Sequence, residues 1–402
     1  MDKKRLLFVD DEPMVLKGLQ RSLRSMRKEW EMSFVAGGAE ALAVLREHPV
    51  DVVVSDMRMP EMDGAQLLEA VKQDYPQGVR IILSGQLDRE MTLKSVRLAH
   101  QHLSKPCDAA VLREALAKTF ALNNILSHAG LKKVVARIDA LPSMPSICME
   151  VMEEVQSPEA SIRNVAAIIA RDLGMAAKIL QMVNSAFFGL CRRVTDVRDA
   201  VMLLGLDAIK ALVLSVNVFA SFKREKLTFV DFEDLWRHSL TTGGYAKYIM
   251  RAASRSRAEI NTAFVAGMLH DIGKLILAVN FSEAYQEVIQ AVDPAAPPEW
   301  EREQAVFGAS HAEIGAYLMG LWGLESPLLA AIAFHHNPGL SRIGDFSPLA
   351  AVHLANVFDR ERHCGGGDLN RGCDEDYLRN IEVYSRVAEW RQGCADLQGE
   401  IE

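Results

Sequence analysis

No two cysteines in this 402-residue chain have the CxxC spacing that grips a metal or forms a redox disulfide. The six that occur, at positions 107, 148, 191, 364, 373 and 394, fall in separate segments, and reduced thiols in a cytosolic protein are the expected state. A basic excess is also missing. The net charge of -8 and a pI near 5.8 leave no footprint for nucleic acid or an anionic membrane surface. No leader pattern stands at the start, because the short apolar run after Met1-Asp2-Lys3-Lys4-Arg5 is interrupted by Asp10 and Asp11. Nor is there a long unbroken hydrophobic run: residues 200–222, the most apolar stretch, carry Asp207 and Lys210 and suit buried helices better than a membrane span. Low-complexity tracts and internal repeats are absent too. These absences lead to the expectation of a cytoplasmic protein with neither nucleic acid nor membrane as partner.

What is present is a globular composition, 49% hydrophobic and 24% charged, on a chain too long for one ordinary core. From Arg5 to about Leu122, short apolar strands alternate with amphipathic stretches, the pattern of a βα-repeated parallel sheet. The strands are expected at residues 6–9, 32–35, 52–54, 80–83 and, more weakly, 101–103. Val15, Leu16, Leu19, Leu23 and Met26 recur at helical spacing and supply one covering face. Beyond residue 131 strand signals nearly vanish, and helical periodicities punctuated by Pro and Gly predict an all-α domain. The expected limits are residues 1–122 for the first domain, 123–132 for a connector, 133–359 for the helical domain and 360–402 for a tail beyond the Gly365-Gly366-Gly367 joint.

In an open α/β sheet, functional groups collect at the carboxyl ends of the strands. Asp10 and Asp11 close the first strand and Asp56 the third. Carboxylates at that density call for a cation, and oxygen ligands suit Mg²⁺. The bound ion would let a phosphodianion approach Asp56, whose carboxylate can act as nucleophile. Ser84 ends the fourth strand and Lys105 follows the fifth, a hydroxyl and an ammonium suited to hold the product phosphate.

Val9-Asp10-Asp11, the run from Ser55 to Gly64, Ser84 and Lys105-Pro106 together resemble a response-regulator receiver domain. That resemblance implies a flavodoxin-like five-stranded parallel sheet, a sensor histidine kinase as partner, and phosphorylation on Asp56. It also implies Mg²⁺ held by Asp11, Asp56 and the backbone carbonyl of Arg58, with Asp10 acting through water. Ser84 would be the switch hydroxyl and Lys105 the phosphate-binding ammonium. His102 stands where the family usually has an aromatic switch residue.

The second domain is marked by histidines. His270-Asp271 ends the apolar run 264–269, and His238, His311, His335-His336 and His353 stand elsewhere. A His-Asp pair with several separated histidines is a metal-ligating set if they converge. Leu141-Pro142-Ser143-Met144-Pro145, residues 179–189 and residues 200–206 resemble the HDOD branch of the HD superfamily, whose members look like catalytically degenerate signalling or interaction modules. The chain also retains residues similar to the ligands of the related HD-GYP cyclic-dinucleotide phosphodiesterases: His238, His270, Asp271, His311, His335 and His336, with Lys274 following the pair. Asn337-Pro338-Gly339-Leu340 replaces the Gly-Tyr-Pro motif, and Asn356 falls where the closing aspartate belongs. Fe or Mn is the metal implied. The function expected is a two-component regulator in which Asp56 controls a helical signalling domain that meets a downstream protein or nucleotide, with a homodimer left open. A phosphorylation-controlled metal-dependent phosphohydrolase is the alternative. A DNA-binding regulator is disfavoured, as no basic recognition helix follows the first domain.

Overall fold

The computed structural model describes residues 3–75, 78–85, 99, 101–105, 112–113, 116, 130–131, 134–135, 138, 146–157, 159–184, 194–221, 227, 229–290, 297–322, 324–341, 343–363 and 372–399. Residues 141–145 and 185–193, which carry part of the HDOD resemblance, and most of the connector 123–132 lie outside them. The chain divides into two compact units, one mainly residues 1–128 and the other mainly residues 147–319 and 325–402.

The first unit holds a parallel sheet of five strands: β1 (Lys4–Val9), β2 (Trp30–Val35), β3 (Val52–Asp56), β4 (Val79–Gly85) and β5 (Gln101–Lys105). Their spatial order is β2-β1-β3-β4-β5. The winding therefore reverses between β1 and β3, which opens a crevice at their carboxyl ends. Every residue of β3 is buried, which explains the unbroken Val52-Val53-Val54 run. Three described helices accompany the sheet: α1 (Pro13–Ser22), α2 (Gly38–Glu47) and α3 (Gly64–Asp74). Leu45, Leu67, Leu68 and Val71 from these helices join Leu7, Val9, Val53 and Ile82 in one core. Asp63 caps α3: its carboxylate accepts from the Gln66 backbone at 2.7 Å, and the Gln66 amide oxygen accepts from the Asp63 N–H at 3.0 Å.

Among its described residues the second unit has helices and no strand. A first group comprises α4 (Ser146–Gln156), α5 (Ile162–Ala170), α6 (Leu173–Val183), α7 (Val197–Leu204) and α8 (Leu206–Ser221). A second comprises α9 (Phe232–Ala252), α10 (Arg257–Leu269), α11 (Ile272–Asn280), α12 (Ser282–Gln290), α13 (Glu299–Phe307), α14 (His311–Leu321), α15 (Ser326–Ala333) and α16 (Pro348–His363). Helices α9, α10 and α16 pack on one another, with α15 against α10 and α16. The stretch Arg257–Asn280 is long and apolar enough to cross a membrane, but 83% of its apolar window is buried inside the protein.

The last forty residues depart from the expected tail. Among them α17 (Glu375–Asn380) and α18 (Val387–Gly399) are folded, and α18 packs on α9 and α16. Trp390 is wholly buried with its ring 5.2 Å from that of Phe346, and Arg386 donates to the Ala252 carbonyl at 3.0 Å. Burying a side chain of that size is reason enough for the segment to fold back, a gain that local pattern around a Gly run does not reveal.

Candidate functional site

The first cluster lies at the carboxyl ends of β1, β3 and β5. Ligand oxygens of Asp10, Asp11 and Asp56 all stand within 4.8 Å of one another. Asp10 and Asp56 are buried and Asp11 is more exposed. Lys105 places its Nζ 2.8 Å from Asp10 Oδ2 and 2.6 Å from Asp56 Oδ1. Burial would lower this ammonium, but its hydrogen bonds to both carboxylates more than offset that and hold it above its ordinary value. Burial likewise raises the Asp56 carboxyl, with Lys105 opposing. Gly64 is required here, because a Cβ at that position would stand 2.1 Å from the Asp56 carbonyl oxygen. Ser84 on β4 lies opposite Ser104, and His102 on β5 lies opposite Ile82. The side chains of Ser84 and His102 are outside the described residues.

The second cluster is built where helices end and where glycines let them touch. His270 and Asp271 form the break between α10 and α11, His270 as the last cap of one and Asp271 as the first of the other. An aspartate there ordinarily caps the helix through its side chain. Asp271 makes no such bond, and its carboxylate turns instead toward His311 Nε2 at 3.0 Å and Lys274 Nζ at 2.9 Å. Close approach of α9 and α10 is permitted by a glycine pair: a Cβ on Gly267 would stand 2.6 Å from Gly243 Cα. That crossing brings His238 Nε2 within 3.1 Å of His270 Nε2.

Five imidazoles converge on Asp271, and the outer nitrogens of four are held. His270 donates from Nδ1 to the Gly267 carbonyl at 2.7 Å, and His335 from Nδ1 to the Ile332 carbonyl at 2.7 Å. His311 Nδ1 meets Glu303 Oε2 at 2.6 Å, and His238 Nδ1 meets Asp359 Oδ2 at 2.5 Å. For His270 and His335 such bonds fix the tautomer and leave Nε2 as a lone-pair donor facing inward. His336 presents Nε2 to His311 Nε2 at 3.1 Å. Metal-ligand atoms fall into three overlapping groups: His238, His270 and Asp271 in one, Asp271, His311, His335 and His336 in a second, and Glu299, Glu303 and His311 in a third.

These donors fit a metal centre. With their outer nitrogens engaged by Asp359 and the Gly267 carbonyl, His238 and His270 bring their Nε2 atoms to 3.1 Å, a spacing that a cation shared between the two can bridge. Neighbouring ligands about 2.1 Å from one ion stand about 3 Å apart, which matches. Burial holds His270 neutral, its ring pushed down to about 3, and keeps His335 and His336 well below the ordinary histidine range. Neutral imidazole is the form a metal takes. His335 Nε2 and Asn356 Oδ1 are buried without a hydrogen-bond partner. His311 differs: burial would lower it, but Glu303 and Asp271 on either side raise it to about 9.

His353, by contrast, has both nitrogens engaged by backbone, donating to the His335 carbonyl at 2.8 Å and accepting from the Asp374 N–H at 3.0 Å. Three participants were missed in the sequence. Asp359 lies one helical turn beyond Asn356, a spacing that could have flagged it; Glu299 and Glu303, a helical turn apart on α13, have no local signal.

Comparison with known proteins matches the model of the response regulator receiver domain to residues 6–117 and that of the HDOD domain to residues 141–338. A protein of Treponema pallidum (strain Nichols) is 28% identical over 207 residues, 51% of this chain and 39% of that one. The transcriptional regulatory protein GlrR of Escherichia coli (strain K12) is 36% identical over 116 residues, 28% of this chain and 25% of GlrR. The chain thus spans well under half the length of these curated relatives. Among solved structures, an HDOD domain protein from Geobacter sulfurreducens superposes with a TM-score of 0.53 at 23% identity, covering 69% of this chain and 99% of that one. This last likeness speaks to fold alone.

Proposed function

With a response regulator receiver domain over residues 6–117 and an HDOD domain over residues 141–338, the chain is a receiver–HDOD response regulator, and from that premise we propose that a phosphoryl group taken up by Asp56 controls the helical domain. The observation that carries this reading is the convergence of Asp10, Asp11, Asp56 and Lys105 at one end of the sheet. Mg²⁺ would be held by Asp11, Asp56 and the Arg58 carbonyl, with Asp10 through water. Lys105, already bonded to Asp56, would follow the phosphoryl oxygens, and Ser84 would supply the switch hydroxyl. The receiver domain implies a sensor histidine kinase as partner. We take residues 1–122 as the receiver, 123–132 as the connector and 133–359 as the helical domain, to which the packed C-terminal helices belong.

In the helical domain His238, His270, Asp271, His311, His335 and His336 would hold divalent Fe or Mn, with Asn356 as a neutral oxygen donor at their edge. A bound ion would supply concentrated positive charge able to polarise an oxygen. The domain's output is contact with a downstream protein or nucleotide. One observation favours the second reading, a metal-dependent phosphohydrolase acting on a cyclic dinucleotide: Asp271 is shared between two donor groups, as a two-metal site requires.

The test of the first reading is incubation with a small phosphodonor and Mg²⁺. Wild type should acquire an acid-stable, base-labile label that Asp56→Asn lacks; labelling of the variant at the wild-type level overturns the assignment. Counting bound metal and assaying cyclic dinucleotide hydrolysis separates the two outputs, since multiple turnovers lost in His270→Ala and Asp271→Ala would establish the phosphohydrolase.

A further inference from the structure

The first turn of α13 sits against the His/Asp cluster. Glu299 Oε2 stands 3.4 Å from Lys274 Nζ, whose other contact is Asp271 Oδ2 at 2.9 Å. The remaining Glu299 oxygen, Oε1, accepts from the Tyr285 hydroxyl at 3.0 Å, so the carboxylate is fixed at both ends. Beside it, the Trp300 ring stacks on His336 with centroids 5.8 Å apart and planes 16° from parallel. Glu303, one turn on, holds His311 through both its backbone N–H and its Nδ1. One short helix therefore touches the ammonium and two histidines of the cluster.

The Lys274 ammonium stands at the donor cluster, 2.9 Å from Asp271, with a side chain only 14% exposed. A phosphate or phosphoester drawn to metal ions would take its next charge-assisted bond from such a group. Here both flanks of the ammonium are already engaged by carboxylates, and one of these is an extra fixed anion.

We propose that Glu299, with Trp300 beside it, closes this centre to phosphate anions and is the residue that selects against phosphoester ligands. The proposal rests on the reading of the His/Asp cluster as a metal centre. It deepens that reading: the donors are retained while the access of an anionic substrate is blocked by a carboxylate from α13. Neutralising Glu299 frees one flank of Lys274 and removes the repulsion, and the centre then accepts phosphate.

The experiment uses full-length protein loaded with Mn²⁺ and inorganic phosphate as the probe, read by ³¹P relaxation, which reports phosphate close to bound Mn²⁺. Metal per chain is counted in every variant. Wild type should show little enhancement beyond free Mn²⁺. Glu299→Gln, and Glu299→Ala as a second variant, should bind phosphate at least tenfold more tightly, and Lys274→Met added to Glu299→Gln should abolish the gain. Equal enhancement in wild type, or none in either Glu299 variant with full Mn²⁺ content, overturns the proposal alone. Failure of the wild type to retain Mn²⁺ overturns the metal reading and the proposal with it.

Discussion

Asp359 Oδ2 lies 2.5 Å from His238 Nδ1, a carboxylate and an imidazole 121 residues apart that meet on the facing sides of α9 and α16. The pairing gives His238 the same support that Glu303 gives His311, so both donor groups of the cluster have an imidazole braced by an acid. Asn356, expected as the closing ligand, sits one turn earlier on the same helix.

Removing that brace should loosen the His238 side of the cluster without unfolding the domain. Asp359→Asn is expected to lower divalent metal affinity about 10–100-fold, the usual cost of losing the partner of a ligating imidazole. Competition of Mn²⁺ against a chelator reads this directly. Unchanged affinity would remove Asp359 from the site.

Backbone contact between α11 and α14 at Gly273 is a second point of strict demand. A Cβ there would stand 1.9 Å from the His311 carbonyl oxygen, and only backbone movement could relieve it. Gly273→Ala should destabilise the helical unit by about 2–3 kcal/mol and reduce metal binding together. Gly344, with nothing within 4 Å of its would-be Cβ, provides the control: Gly344→Ala should leave the melting temperature nearly unchanged.

In the receiver, Asp11 and Lys105 should separate into two phenotypes. Losing a metal ligand removes the charge that lets a phosphodonor approach, so Asp11→Ala should no longer be labelled in a Mg²⁺-dependent way. Lys105→Ala should still accept a phosphoryl group but lose the accompanying change in hydrogen exchange, because the donor to the product is gone. Labelling of the Asp11 variant at the wild-type rate and Mg²⁺ dependence would count against the assigned metal role.

Trp390 tests whether the C-terminal segment is structural. Its ring is wholly buried against Phe346, and replacing a buried aromatic by Ala costs about 3–5 kcal/mol. Trp390→Ala should therefore lower the stability of the helical unit by that order in denaturant titration. A variant as stable as wild type would mean that α18 adds nothing to the core.

Much of the receiver could be read from sequence because its signals are local. Val52-Val53-Val54 reads as a strand covered on both faces, and Asp56 follows at its carboxyl end, where the chain has to leave the sheet. The short fifth strand was legible only in outline: residues 101–103 were expected and Gln101–Lys105 form it, since pairing with β4 extends the strand beyond its own weak pattern.

The histidines of the helical domain were legible as a set, yet not the acids behind them. Glu303 looks like any surface glutamate on an amphipathic stretch, and only the docking of α13 against α14 buries it against His311. The sequence by itself determined the order of domains, the strand and helix periods, and the candidate donors, because side-chain type and spacing act over a few residues. Tertiary structure alone decided which acid braces which imidazole, that Asp271 leaves its helix cap to serve the cluster, and that Glu299 pins Lys274. Those contacts depend on how closely helices far apart in the chain approach, and the approach is set by packing at glycines such as Gly243, Gly267 and Gly273 rather than by any local preference.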